Sequence, residues 1–288
     1  MQDVSVLVPG GQINVWHRPA GGDGETAVLV HGLSGNSRWW TSVIEHLPEG
    51  MGLIALDVRG RGLSAHSPAP FDLSTIADDI TRCLDHFRLQ RAVVAGYSMG
   101  GWIVALFGLH HRNRVERLVL VDGGLPIPRQ PGQDPEEFID AMVGPSLRRL
   151  DIQFESQEAF FDNWKAHPAL ESHWDDSMMM SLGHELVRVG DHFRVNANPE
   201  AIEVTAREIT VGERANAAAA KLEVPTHLIV VERGTTDQPG GMIPLDVAKQ
   251  AARSNRALTM QYLPDINHYT LVLGKGAPVV ASTIAPAG

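Results

Sequence analysis

The stretch that most limits what this chain can become is Gly96-Tyr97-Ser98-Met99-Gly100, a full match to G-x-S-x-G. Alone, the pattern is short and arises by chance. Its flanks give it meaning: residues 91–95 are a short, mostly apolar run, and residues 102–110 carry apolar residues at helical spacing. A strand that turns sharply into a helix leaves no room for side chains beside the turning residue, which is why glycines flank the serine. Such a turn pushes the Ser98 hydroxyl out over the strand ends and aims the Met99 N–H at the same space. Strand, sharp turn and helix together lift a weak pattern to a strong one.

The same rhythm continues on both sides. Residues 4–8 and 13–18 read as strands joined at Pro9-Gly10-Gly11, a hairpin signal. Residues 27–30, 53–56, 92–95 and 117–121 are apolar runs of the kind found in strands buried on both faces. Helical spacing covers 38–47, 73–89 and 102–109, with Ser74 a candidate cap for the second. Short strands alternating with longer helices predict βαβ units and a parallel sheet. From 123 to 224 no buried strand is evident. Four prolines from Pro126 to Pro135 mark a loop, and helical patterns follow over 136–143, 147–150 beyond a Gly144-Pro145 break, 157–167, 169–187 and 199–212. The first rhythm resumes with strands at 226–231 and 258–263 and helices at 243–252 and 277–284. The expected architecture is an α/β core, 1–125 and 225–288, with a mostly parallel sheet of about eight strands flanked by helices. A helical cap, 126–224, is expected after the sixth strand.

A serine hydroxyl needs a base within hydrogen-bond reach and a third group that orients the base. His268 is the leading base: it follows the last strand in a loop of turn-forming residues, Pro264-Asp265-Ile266-Asn267-His268, and comes after the nucleophile in the chain. The oxyanion needs preorganised donors. His31-Gly32-Leu33 follows the third strand, where the Leu33 N–H can join that of Met99 in an oxyanion hole, with His31 as a strut that shapes the loop. Asp57, Arg59, Gly60, Arg61 and Gly62 read as a tight loop whose charges pin its neighbours.

Composition excludes several alternatives. A net charge of −10 offers no field for nucleic acid or anionic lipid. The single cysteine rules out an internal disulfide, and the 13 histidines show no metal spacing such as H-E-x-x-H, so no metal or other cofactor is expected. No basic run leads into a long apolar stretch, and no apolar window is long enough to span a bilayer. The expectation is a soluble, cytoplasmic protein acting on a small molecule, with no nucleic-acid or membrane partner, as a monomer or homodimer.

With these residues in view, the chain resembles the α/β-hydrolase fold superfamily, in particular its capped enzymes of the esterase, lactonase and C–C hydrolase kind. The resemblance covers about 4–122 and 225–283 and rests on His31-Gly32, the run from Asp57 to Ser64, Gly96–Gly101 and Asn267-His268. Relatives that open epoxides or displace halide carry a carboxylate nucleophile where this chain has Ser98. Most relatives place the triad acid after the penultimate strand, in a motif resembling Gly-Glu-x-Asp. Here that stretch reads Val231-Glu232-Arg233-Gly234-Thr235-Thr236-Asp237, which puts Gly234 where the aspartate should be. Some branches take the acid from the strand after the elbow helix, where this chain has Asp122. Asp122 is the first candidate, Asp237 the alternative, and Glu232 or water-only support the remainder.

The resemblance implies a serine hydrolase cleaving a carboxylic ester or lactone of an apolar, small to medium-sized substrate. The same triad would also serve C–C bond hydrolysis of a dicarbonyl compound or acyl transfer. A reading of another class is a non-catalytic small-molecule binder on a hydrolase scaffold. The segment 126–224 is rich in aromatic residues and methionine, which can either bury the cap or line an apolar pocket over Ser98. His31, Tyr97, Trp164, Trp174 and Met178 are the candidate pocket residues.

Overall fold

The apolar runs of the sequence lie side by side in one eight-stranded sheet. A computed structural model describes residues 1–22 and 24–286, so the core segment expected to reach 288 is described to 286. The strands are β1 (Gln2–Val8), β2 (Gly11–Arg18), β3 (Thr26–Val30), β4 (Gly52–Leu56), β5 (Ala92–Tyr97) and β6 (Val115–Val121), then a separate hairpin of β7 (Leu186–Val189) and β8 (His192–Val195), then β9 (Thr226–Arg233) and β10 (Leu258–Asn267). The sheet order is β1-β2-β4-β3-β5-β6-β9-β10. β2 pairs antiparallel with β1 and β4, and every other pairing is parallel. Eleven described helices accompany them: α1 (Thr41–Ile44), α2 (Leu73–His86), α3 (Met99–His110), α4 (Pro135–Leu150), α5 (Gln157–Lys165), α6 (Met178–Leu182), α7 (Pro199–Val211), α8 (Glu213–Ala218), α9 (Leu245–Ser254), α10 (Thr270–Leu273) and α11 (Ala277–Ile284).

Successive side chains of a strand point to opposite faces, and this alternation divides the interior into two cores. Val28, Val30, Val94, Leu118, Leu120, Leu228 and Val230 pack with α2, α3, α8 and α9. Ala27, Leu29, Val93, Ala95, Val119, Val121, Ile229 and Val231 pack with Trp39, Trp40, α10 and α11. Much of the aromatic content of the segment between β6 and β9 joins this second core, through Phe154, Phe160 and Trp164. Five helices, α4 to α8, and the β7–β8 hairpin all lie in that segment.

Several local expectations are corrected. α2 is capped by Asp72, whose Oδ1 accepts the Thr75 N–H at 2.9 Å; Ser74 already lies inside the first turn. Residues 38–47 form a 3₁₀ turn, Ser37–Trp40, and the single turn α1 rather than one long helix. Residues 135–150 form one helix despite Pro145. Asp134 caps it by accepting the Glu136 and Glu137 N–H groups, and proline removes only the bond from residue 145 to residue 141. The expected helix over 169–187 shrinks to α6. Asp175 turns the chain before it by accepting the Ser177 N–H at 2.8 Å, and β7 begins at Leu186. β7 is largely exposed and β8 buries only Val195, so neither shows a buried run. Among the described residues no helix is long and apolar enough to cross a membrane.

Leu29 is fully buried in the central strand whereas Leu7, on the edge strand, is 77% exposed. Leu29→Ala is expected to cost roughly 2–5 kcal/mol of stability, and Leu7→Ala no more than about 0.5 kcal/mol. Urea unfolding of the two variants checks this.

Candidate active site

The carboxyl ends of parallel strands are where open α/β sheets place their sites, and here four of them converge. Between β5 and α3, Ser98 has φ 54° and ψ −122°, a conformation costly for a residue with a side chain. It is held by backbone: the Ser98 N–H donates to Val121 O at 2.9 Å, and Ser98 O accepts the Gly101 N–H at 2.8 Å. The glycines are required by close approach. A Cβ on Gly96 would stand 2.1 Å from Gly100 O, on Gly100 2.2 Å from Val30 O, and on Gly123 2.0 Å from Ser98 O.

Asp122 follows β6 at φ 45° and is fully buried. Its Oδ2 lies 2.6 Å from Nδ1 of His268, which follows β10. A carboxylate there accepts from Nδ1–H, so the imidazole lone pair resides on Nε2. The Tyr97 hydroxyl donates to the His268 carbonyl at 3.0 Å, and the two rings lie 4.9 Å apart. Burial pushes the Tyr97 hydroxyl far above its ordinary value, so it stays protonated and remains a donor. The other two acidic candidates lie elsewhere. Asp237 Oδ1 accepts Arg233 Nε at 2.9 Å and Asn267 Nδ2 at 3.0 Å. The Arg233 hydrogen bond holds its carboxyl below the usual range. Glu232 accepts the Asp265 N–H at 2.8 Å.

The loop after β3 is shaped by His31. The buried ring accepts the Val58 N–H on Nε2 at 3.2 Å, which leaves the proton on Nδ1 to donate to Gly32 O at 2.7 Å. The Gly35 N–H reaches the same carbonyl at 3.2 Å. In a planar trans peptide C=O and N–H point opposite ways, so holding Gly32 O turns the Leu33 N–H away from the His31 ring. A Cβ on Gly32 would stand 3.2 Å from Ser98 Cβ, so this loop lies directly against the serine. Burial pushes the His31 imidazole down to about 3 and keeps it neutral.

Ser98, His268, Leu33 and Tyr97 share a cavity of about 150 Å³ with Trp39, Tyr269 and Met242 of the core. Ile127, Met142, His167 and Ile209, from the segment between β6 and β9, complete its wall. Of the expected pocket residues, only Tyr97 lines it, and the other four are corrected. His31 lies behind the loop after β3, occupied by its two backbone bonds. Trp164 is packed edge-on against Trp39 and Tyr269, with the Arg149 guanidinium 4.3 Å from its ring centroid. Trp174 bonds Asp176 on the periphery. Met178 is buried beside Gly274. Trp39 and Tyr269 were within sequence reach, since each neighbours a named motif. Met142 and His167 depend on how α4 and the α5–α6 connection pack, which no local pattern reveals. Among the described residues no group of three His, Cys, Asp or Glu could hold a metal ion.

A family model described as the alpha/beta hydrolase fold matches residues 27–183, more than half of the chain. A soluble epoxide hydrolase of Corynebacterium sp. (strain C12) is 34% identical over 106 residues, 37% of this chain and 37% of that protein. An sn-1-specific diacylglycerol lipase of Danio rerio, ABHD11, is 35% identical over 103 residues, 35% of this chain and 32% of the lipase. The chain thus spans less than half the length of these curated relatives. Among solved structures, an E-2-(acetamidomethylene)succinate hydrolase superposes with a TM-score of 0.81 over 99% of this chain and 100% of its own, at 20% identity. At that identity the likeness is one of fold.

His31 makes stability depend on pH. Below its ordinary value of 6.5 the unfolded chain takes up a proton that the folded imidazole refuses until about pH 3. Stability contributed by the neutral ring is therefore whole above that ordinary value and falls as the pH drops through this window, by at most about 1.4 kcal/mol per unit. Between pH 7.5 and 5 the native protein is expected to lose about 2 kcal/mol more than His31→Gln, which is less stable at pH 7.5 but insensitive at this site. Urea unfolding at both pH values measures the difference, and equal losses contradict a neutral buried His31.

Proposed function

The chain belongs to the α/β-hydrolase fold family, and on that premise we propose that it is a serine hydrolase that cleaves a small, largely apolar carboxylic ester or lactone. The observation that carries this reading is the 2.6 Å pairing of His268 with buried Asp122, at the same cavity as Ser98. In the proposed reaction the Ser98 hydroxyl oxygen attacks the substrate carbonyl carbon while His268 Nε2 takes its proton. Asp122 keeps the imidazole in the required tautomer and stabilises the imidazolium. The anionic carbonyl oxygen is held by the Leu33 and Met99 N–H groups. Collapse of the intermediate breaks the bond to the alkoxy oxygen, which receives the proton from His268. Water, deprotonated by the same histidine, then attacks the acyl-enzyme, and the acid leaves as Ser98 regains its proton.

The cavity supports the substrate class. A space near 150 Å³ is comparable to one that admits a benzene-sized guest, which favours a short acyl chain or a small ring. No lysine, arginine, aspartate or glutamate is among its lining residues. That favours a neutral ester over a dicarbonyl substrate whose carboxylate would need a cationic partner. In this reading 126–224 acts as a cap, with Met142 and Ile209 covering the acyl site and excluding water. Ser98 in the nucleophile position argues against epoxide opening. The oriented Asp122–His268 pair argues against a silent binding protein.

Ser98→Ala is expected to abolish turnover of p-nitrophenyl butyrate and labelling by a fluorophosphonate probe; retained turnover would refute the proposal. Asp122→Asn is expected to lower kcat by about 10⁴, on the scale of the corresponding change in a serine protease. Asp237→Asn should stay within about threefold, as expected of a charge paired away from the site. A larger loss from Asp237→Asn than from Asp122→Asn would overturn the choice of acid.

A further inference from the structure

Two arginines stand two residues apart in the loop after β4, and the fold treats them differently. Both are wholly buried. Arg59 is neutralised by Asp79, with Nε 2.6 Å from Oδ2 and Nη2 2.9 Å from Oδ1. Arg61 forms no ion pair among the described residues. Its guanidinium is solvated only by neutral groups: Nε donates to Leu33 O at 2.9 Å, Nη1 to Arg59 O at 2.9 Å and Nη2 to Thr205 Oγ1 of α7 at 2.6 Å. Nη2 also lies 3.7 Å from Met99 Sδ. The acid across Gly62, Asp57, is already engaged, its oxygens accepting the Ser37 and Leu63 N–H groups and Asn14 Nδ2 at 2.7, 2.9 and 3.1 Å.

Arg61 therefore touches the two residues, Leu33 and Met99, whose backbone N–H groups face the developing anion in the proposed reaction. Burying a cation without a counter-charge is costly, and the neighbouring Arg59–Asp79 pair shows that the same loop can accommodate a compensated one. We propose that Arg61 is a positioning residue for the oxyanion hole. It fixes an uncompensated positive charge behind Leu33 and Met99, and that charge stabilises the anionic intermediate through the two backbone donors. The inference rests on the reading of Ser98 as nucleophile. A fixed charge in a water-poor site needs no reorganisation when the anion forms. Thr205 closes the shell around the guanidinium from the α7 side, so water does not screen it.

The test separates charge from mere bracing. Arg61→Gln keeps hydrogen-bond donors and removes the charge, while Arg61→Lys keeps the charge. With p-nitrophenyl butyrate, Arg61→Gln is expected to lower kcat about tenfold to a hundredfold with KM within about threefold. Arg61→Lys should retain most of the rate. A structural brace alone predicts that both variants lose activity in step with their melting temperatures, and that pattern would overturn the proposal. A second readout does not depend on turnover. In Ser98→Cys, the pH midpoint of iodoacetamide alkylation reports the local potential, because the thiolate is the reactive form. Adding Arg61→Gln should raise the midpoint by about one unit. Arg61→Met, an apolar replacement of similar length that relieves the buried charge, should fold and show the same rise. Unchanged midpoints in folded variants overturn the inference. If wild-type protein neither reacts with a fluorophosphonate nor turns over the ester, the hydrolase reading falls, and the thiol midpoints still decide whether Arg61 sets the potential.

Discussion

Three backbone segments meet at Ser98 with no side chain between them. Gly96 lies against Gly100, Gly100 against the end of β3, and Gly123 against the Ser98 carbonyl. This contact depends on glycine at all three points, since any Cβ would overlap backbone atoms that have nowhere to go. It keeps Ser98 in a conformation that a free chain would leave at once. It also brings the ends of β3, β5 and β6 close enough for the loop at Gly32 to touch the serine. The hydrogen bond from Ser98 N–H to Val121 O joins the turn to the strand that ends in Asp122. Ser98, the loop at Gly32 and Asp122 are thus placed by one packing event in the backbone.

Around this contact the polar groups are arranged by burial. His31 and His268 are both buried imidazoles, and their partners give them different tasks. His31 spends both nitrogens on backbone and braces a peptide. His268 spends only Nδ1, on a carboxylate. The paired Arg59 and the unpaired Arg61 show the same principle among cations: what surrounds a charge, more than its position in the chain, sets what it can do.

The sheet and the elbow were legible because their physical requirements are local. A strand buried on both faces must be an unbroken apolar run, as residues 27–30 and 92–95 are, and a turn too tight for Cβ atoms must have glycines, as Gly96 and Gly100 are. His268 could be picked out by its place after the last strand. The carboxylate that meets His268 is not legible, because Asp122 and Asp237 both follow strands, and only the folded loop shows Arg233 and Asn267 taking Asp237. The pocket lining is hidden for a related reason. Trp164 and Met178 look like lining residues by composition, yet they are consumed in packing. The β7–β8 hairpin leaves no such signal, because its two short strands bury only Val195 and need no apolar run. In the sequence Arg61 is one charge of a glycine-rich loop, and its lack of an ion-pair partner among the described residues is a fact of three dimensions.

The wall of the cavity combines residues of 126–224 with residues from several stretches of the core, and none of those that 126–224 contributes hydrogen-bonds to Ser98, Asp122 or His268. Its seam with the loop after β4 mixes backbone and side-chain bonds: the Gly62 N–H donates to Asn196 O, Asn196 Nδ2 donates to Gly62 O at 2.7 Å, the Asn198 N–H reaches Gly60 O, and Arg61 Nη2 donates to Thr205 Oγ1. Drift in the lining residues can therefore retune which molecules fit while Ser98, Asp122 and His268 stay untouched. A foreign segment grafted in place of 126–224 would have to reproduce the stitches at Asn196, Asn198 and Thr205 and also the packing of Phe154, Phe160 and Trp164 against the sheet.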